Sequence, residues 1–272
     1  MAVIGLVRAS HPGPTAAVTA MVTALAVASG RDGAGCLLVA LAVLSGQLSV
    51  GWCNDAVDAG RDVLAGRADK PLVTGAVSAR AVRAAAIIAL ALCVPLSMAS
   101  GPVAGAVHLV GVGAAWGYDL GVKATVLSWA PYAVGFGVLP AFVTLGLPGR
   151  PWPAWWAVLA AALLGVGAHL ANVLPDISDD LATGVRGWPQ RIGAAWVRVL
   201  LPVPLVAATC LLILGPEGAT GLEWVALVVV GLLAGAGLAA GARHPKAPFV
   251  AAIGVAAVDV ALLIGDGAAL TG

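Results

Sequence analysis

The amino-acid sequence predicts an all-α, polytopic membrane protein, and three observations predict it. Hydrophobic residues make up 61% of the 272-residue chain and charged residues 10%, with a mean hydropathy of +1.01; an average soluble domain is roughly 25% charged. Apolar runs recur from end to end, and a helix needs about 20 apolar residues to cross a bilayer. Glycine and proline punctuate the joins between those runs, as in "SGPVAG" at 100–105 and "LGLPGRPWP" at 145–153. In hydrocarbon the backbone must satisfy its own hydrogen bonds, so such runs are helices.

Taken in order, the first span is expected at 13–30; the N-terminal stretch lacks a signal-peptide layout, so this run is retained. The second, 35–58, turns acidic at its end. Gly101 and Pro102 separate the third, 79–99, from the fourth, 102–118. The fifth, 125–147, runs into the Gly/Pro-rich join, and the sixth, 152–176, again ends in carboxylates. Spans at 194–214, 220–241 and 248–266 complete nine, in a single domain covering 1–272. The chain's 36 glycines suit membrane helices that approach closely. Cys36, Cys53, Cys93 and Cys210 all lie in apolar runs without metal-like spacing, as small buried side chains do.

Basic residues set the orientation. With the N-terminus cytoplasmic, that side holds Arg8, Arg61, Arg67, Lys70, Arg80, Arg83, Lys123, Arg186, Arg191, Arg198, Arg243 and Lys246. The other side holds only Arg31 and Arg150, and this asymmetry predicts an N-inside, C-outside topology. Asp55, Asp58, Asp62, Asp69, Asp119, Asp176, Asp179 and Asp180 gather on the same side as the basic residues. A net charge of +1 with scattered basic residues gives no reason to expect nucleic acid as a partner.

Those aspartates form two matching rows. "NDAVDAGRD" places Asn54, Asp58 and Asp62 at i, i+4 and i+8, with Asp55 beside Asn54. "NVLPDISDD" places Asn172, Asp176 and Asp180 at the same spacing, with Asp179 adjacent. On a helix, residues four apart share a face, and Pro175 is expected to kink the second helix where its aspartates begin. A single row has a solvated helix end as its alternative reading. Two rows at the same membrane depth, where carboxylates are costly, read as facing a cavity or a partner. Divalent cations would relieve the repulsion between them, and Mg²⁺ favours a few carboxylates with waters and substrate phosphates. The rows therefore suit a diphosphate held through Mg²⁺. Arg67 and Lys70 in "GRADKPLVTG", Tyr118 and Lys123 in "WGYDLGVKAT", and Arg186 and Arg191 in "DDLATGVRGWPQRIG" are neighbours able to meet the same anion; topogenic charge is the alternative for the basic ones, except Lys123, whose loop carries no other basic residue.

"NDAVDAGRD", "RADKPLVTG", "YDLGVK" and "NVLPDISDD" together resemble the UbiA superfamily of intramembrane prenyltransferases. The first motif follows the family's Asn-Asp-x2-Asp-x3-Asp pattern, and Asp176 with Asp180 follows its Asp-x3-Asp pattern. Tyr118 and Lys123 are similar to its Tyr-x3-Lys element, with one residue more between them. The resemblance spans the whole chain and implies nine helices around a central cavity. It also implies Mg²⁺-dependent binding of an isoprenyl diphosphate, with the tail in a cavity open to membrane lipids. Carried onto this sequence, the implied metal ligands are Asn54, Asp55, Asp58, Asp62, Asn172, Asp176 and Asp180. The implied diphosphate-binding residues are Asn54, Arg67, Lys70, Tyr118, Lys123 and Asn172, and Asp55, Asp58, Asp62, Asp176, Asp180 and Lys123 are the implied catalytic set. A bacterial cytoplasmic membrane is the expected location, with the active site facing the cytoplasm.

The implied reaction is ionisation of the diphosphate and transfer of the prenyl group to an aromatic or other lipophilic acceptor. Trp52, Trp116 and Trp129 are candidates for a π face against the allylic cation, or for interfacial anchors. His108, Asp119 and His169 are the few polar groups placed to orient an acceptor. That scarcity keeps open a second reading, a UbiA-type terpene cyclase acting on the diphosphate alone. A transporter is a third, disfavoured because the ionisable residues crowd one mouth. Asp259 is the one acid deep in a span, and a polar group on another helix or a proton is needed to satisfy it.

Overall fold

The computed structural model describes residues 2–68, 70–216, 221–241, 243–244 and 246–271. Asp69 lies outside them. Among the described residues the chain forms helices and short 3₁₀ turns and no strand. Ala2–Ala9 (α1) precedes the first expected span, and Pro12–Ala28 (α2) and Gly33–Leu64 (α3) follow. Asp32 caps α3 by accepting from the Gly35 amide at 2.6 Å, and Ser78 does the same for Ala79–Ala99 (α4) through the Ala81 amide at 3.2 Å. Pro102–Leu120 (α5), Ala130–Gly137 (α6) and Leu139–Thr144 (α7) each begin with proline in the first turn, where no amide hydrogen is required. Trp155–Val173 (α8), Ile177–Ala182 (α9), Trp188–Ile192 (α10), Ala194–Leu200 (α11), Pro202–Leu214 (α12), Gly221–Gly241 (α13) and Ala247–Gly265 (α14) complete the order.

Every expected span contains a helix, and six of the nine are long and apolar enough to cross a membrane: α3, α4, α8 with its extension to Ala182, α11 with α12, α13 and α14. The chain is an integral membrane protein. Of the remaining three, 13–30 yields the shorter Pro12–Ala28, 102–118 yields Pro102–Leu120, and 125–147 yields Ala130–Thr144. The last is divided at Val138 because Pro140 cannot continue α6 and instead starts α7. α3 runs six residues past its expected end, so the whole first acidic row stays helical. Pro175 does interrupt the second row: α8 stops at Val173, a 3₁₀ turn covers Leu174–Asp176, and α9 resumes.

The interior joins Phe142, Leu170, Leu201, Leu212 and Val255, all fully buried, across α7, α8, α11, α12 and α14. Ile87, Ile88 and Leu232 point outward, as lipid-facing side chains do. Helices meet where side chains are absent. A Cβ on Gly165 would lie 2.3 Å from the Tyr132 carbonyl oxygen, so only glycine lets α8 press on α6 and place Tyr132.

Asp259, with 0% exposure, finds its partner on another helix: the Thr209 hydroxyl donates to Oδ1, while Oδ2 has none. Thr209→Val should lower stability by about 1–3 kcal/mol in detergent, because it strands a buried acceptor. Thr209→Val combined with Asp259→Leu should cost less than the sum of the two single changes. Strictly additive unfolding free energies would show that the bond contributes nothing.

Candidate functional site

Both acidic rows meet in one polar chamber of about 140 Å³. Its wall includes Asp58 and Asp62 from α3, Asp176, Asp179 and Asp180 from the broken end of α8, and Arg61, Arg67, Lys70 and Lys123. Five carboxylates thus face four cations, a near balance that explains how the cluster holds together. Asp58 receives the most: Lys123 Nζ donates to both its oxygens at 2.7 Å, and Arg61 and the Asn54 amide also reach it. Arg67 crosses between rows, 2.9 Å from Asp176 and 3.9 Å from Asp62. Burial alone would lower the Arg67 guanidinium, but the carboxylates of Asp176, Asp62 and Asp179 hold it above its ordinary value. Asp180 accepts from the Gln190 side-chain amide at 2.7 Å.

Lys123 sits in the 3₁₀ turn Val122–Ala124 and is only 7% exposed. Burial, and then the nearby Arg61 guanidinium, pushes its ammonium down to about 8. The connection after α9 is folded onto it: a Cβ on Gly187 would lie 2.4 Å from the Lys123 carbonyl oxygen, and the Trp188 amide donates to Ser128 Oγ at 3.1 Å. Lys123 is therefore a built part of the wall rather than a free loop lysine.

A second, apolar cavity of about 320 Å³ adjoins this chamber, lined by Val18, Val43, Val50, Val112, Phe136 and Leu139 among others. His11, Asn54, Tyr118 and Asn172 line both spaces and so mark the neck between them. Asn54 is oriented by its donation to Asp119 Oδ1 at 3.0 Å, and Asn172 by its donation to the Tyr132 hydroxyl at 3.1 Å. Tyr118 packs edge-on against Tyr132 at 5.1 Å and against His169 at 5.7 Å.

The structure brings most of the expected site residues together. Asn54, Asp58, Asp62, Arg67, Lys70, Tyr118, Lys123, Asn172, Asp176 and Asp180 all line the polar chamber. Asp55 does not line it; its carboxylate is 2% exposed and bonded to His11 and Lys70. Arg186 and Arg191 point away from the chamber, with Arg191 bonded to the Arg186 carbonyl. Of the two readings of the tryptophans, packing or anchoring is the one the structure fits. Trp52 donates to the Leu6 carbonyl, Trp116 to Ser49 Oγ, and Trp129 is 39% exposed, so none lines either space. The rings that do are Tyr118, Tyr132 and Phe136. His169 is held by Ser128 and packs between the two tyrosines, which is a structural role. His108 lines the apolar cavity, bonded to Ser97 at 2.8 Å and stacked on Phe142. Sequence reading missed His11, Arg61 and Gln190 as chamber or neck residues, and Tyr132 as a residue of the apolar cavity. Arg61 alone carried a signal, standing three residues after Asp58 on one helical face.

Oxygen donors dominate this wall, which suits a hard divalent cation better than a soft one. Among the described residues no three acid, histidine or cysteine side chains converge on one point. The chamber's carboxylates are arrayed around it, each within reach of a cation or a side-chain amide. Their chemistry fits Mg²⁺.

The chain matches the model of the UbiA prenyltransferase family over residues 15–259. No curated protein matches it. A UbiA homologue from Archaeoglobus fulgidus, solved with DMAPP and Mg²⁺, superposes with a TM-score of 0.70 at 16% identity, covering 95% of this chain and 98% of that one. The same homologue with GPP and Mg²⁺ gives 0.68 at 16% identity, covering 96% and 99%. The apo structure of a UbiA homologue from Aeropyrum pernix K1 gives 0.71 at 22% identity, covering 92% and 97%.

Proposed function

The chain belongs to the UbiA prenyltransferase family, and on that premise we propose that it is a Mg²⁺-dependent intramembrane prenyltransferase that ionises an isoprenyl diphosphate and transfers the prenyl group to a lipophilic acceptor. The observation that carries this reading is the neck: a charged chamber and an apolar cavity share His11, Asn54, Tyr118 and Asn172. A prenyl diphosphate has the same division, an anionic head and a hydrocarbon tail, and its breaking C–O bond would lie at that junction. The A. fulgidus homologue was solved with two such compounds.

Asn54, Asp58, Asp62, Asn172, Asp176 and Asp180 would hold the Mg²⁺, which supplies Lewis-acid neutralisation of the diphosphate oxygens. Arg67, Lys70 and Lys123 would place fixed positive charge where the leaving group gains negative charge. Tyr118 at the neck and Tyr132 in the adjoining cavity present rings beside the place where the allylic cation forms, and these can stabilise it. The aliphatic wall keeps water from the cation. Asp119, with Oδ2 unpartnered beside the cavity, offers a polar atom for the acceptor or its proton. The polar chamber faces the cytoplasm on the distribution of basic residues.

Purified protein incubated with Mg²⁺ and each common prenyl diphosphate, without and then with a quinone precursor, tests this. Diphosphate release that requires the acceptor, with a prenylated product, is the expected result. A cyclised hydrocarbon or alcohol formed without acceptor would replace transfer by cyclisation. No release from any prenyl diphosphate would overturn both.

A further inference from the structure

Asp55 is the one aspartate of the first motif that turns away from the polar chamber. Its Oδ1 lies 2.9 Å from His11 Nε2 and 2.7 Å from Lys70 Nζ. Those partners belong to two different segments: His11 ends the N-terminal segment that contains α1, and Lys70 sits in the connection from α3 to α4. His11 adopts left-handed backbone, φ 51, a conformation that a non-glycine residue keeps only when its surroundings hold it there.

The rest of this region is built to the same end. Trp52 Nε1 donates to the Leu6 carbonyl at 2.8 Å, pinning α1 across α3. A Cβ on Gly51 would lie 2.5 Å from the Ser10 carbonyl oxygen, and one on Gly5 would lie 3.1 Å from that of Ala76. Glycine thus lets α1 press on α3 from one side and on the α3–α4 connection from the other. Ala9, Val77 and Val82, with Leu6, Trp52, Ala56 and Leu72, form an apolar cluster separate from the main core. Val3, Ile4 and Val7 remain exposed, as on a helix lying at the membrane interface. This small unit sits over the neck, because His11 lines both the chamber and the cavity while Lys70 lines the chamber.

We propose that Asp55 is a positioning residue rather than a metal ligand: its buried carboxylate ties the N-terminal segment and the α3–α4 connection into one cover over the neck. The tie aims Lys70 at the head group and keeps water from the cation formed beneath. The second consequence rests on the prenyl-transfer reading; the tie itself does not.

Amide hydrogen exchange of the full-length protein in detergent, without substrate, tests the tie. Asp55→Ala should speed exchange of residues 2–11 and 66–78 together, about tenfold, the size expected when one charge-assisted hydrogen bond is lost. His11→Ala should loosen mainly the first segment and Lys70→Ala mainly the second. Asp55→Asn, which keeps an acceptor oxygen, should restore part of the protection. Asp58→Ala should leave both segments protected. In turnover with a prenyl diphosphate, Asp55→Ala should raise KM and the share of water-quenched prenyl alcohol several-fold, while the half-saturating Mg²⁺ concentration stays within about twofold of wild type. Unchanged exchange in Asp55→Ala, or a Mg²⁺ requirement raised as far as in Asp58→Ala, would overturn the proposal. Should Asp55→Ala not insert, independent protection of the two segments in His11→Ala and Lys70→Ala decides the question in its place. A wild type inert towards prenyl diphosphates would sink the reaction and leave the exchange result to judge the cover.

Discussion

Asp58→Ala is expected to reduce turnover by roughly a thousandfold or more, since a lost metal-holding carboxylate removes several kcal/mol of leaving-group stabilisation. Asp58 is the carboxylate on which the chamber converges, with Lys123, Arg61 and Asn54 all directed at it. Its removal also leaves the Lys123 ammonium buried without its anion, which costs stability as well as activity. Asp58→Asn separates the two effects. It keeps the shape and an acceptor for Lys123 but weakens metal binding, so its stability should stay nearer wild type while its turnover stays low. Asp176→Ala should be comparably inactive and better folded, because Asp176 is far more exposed and shares Arg67 with Asp179 and Asp62. Rates measured across a Mg²⁺ titration, beside thermal unfolding of each variant, check both expectations. Full turnover of the wild type in EDTA without added Mg²⁺ would remove the metal from the account.

Lys123→Ala carries the second large effect. A lysine contact to a charged oxygen is typically worth about 1.5–3 kcal/mol. If that contact strengthens as the leaving group departs, kcat/KM should fall roughly 10- to 150-fold. The structure adds a second consequence. Lys123 Nζ holds both oxygens of Asp58, so its loss should also shift the Mg²⁺ dependence, through a carboxylate released from its place. Lys123→Arg should recover only part of the rate, since a planar guanidinium cannot reproduce a point charge held against both oxygens of Asp58. Asp119→Asn should have a smaller effect than Lys123→Ala, and not a negligible one, because Asp119 orients Asn54 at the neck. Wild-type kcat/KM in Lys123→Ala at sub-saturating prenyl diphosphate would take Lys123 out of the site.

Arg61 and Lys123 show how far local pattern reaches. Arg61 meets Asp58 from three residues away on the same helix, and any reading of helical spacing contains that pair. Lys123 meets Asp58 across 65 positions, and its place as the one basic residue of its loop, together with resemblance to a family motif, singled it out rather than helical spacing. The three-way tie of His11, Asp55 and Lys70 had neither kind of signal, because a histidine in a short N-terminal stretch reads as solvated.

The sequence by itself determined the membrane setting, the helical runs and the two acidic rows. Hydropathy and i, i+4 spacing are properties of a segment alone, and they survive whatever that segment packs against. It also marked the Pro175 break, since proline removes its own backbone donor wherever it stands. Only the tertiary structure decided which carboxylates face the chamber. Asp55 and Asp58 are three residues apart on one helix, yet one is turned to the cover and the other to the chamber. Tyr132 lines the apolar cavity because Gly165, on another helix, leaves room for its backbone. Such choices depend on how helices distant in sequence pack against one another, and that relation is written in no single segment.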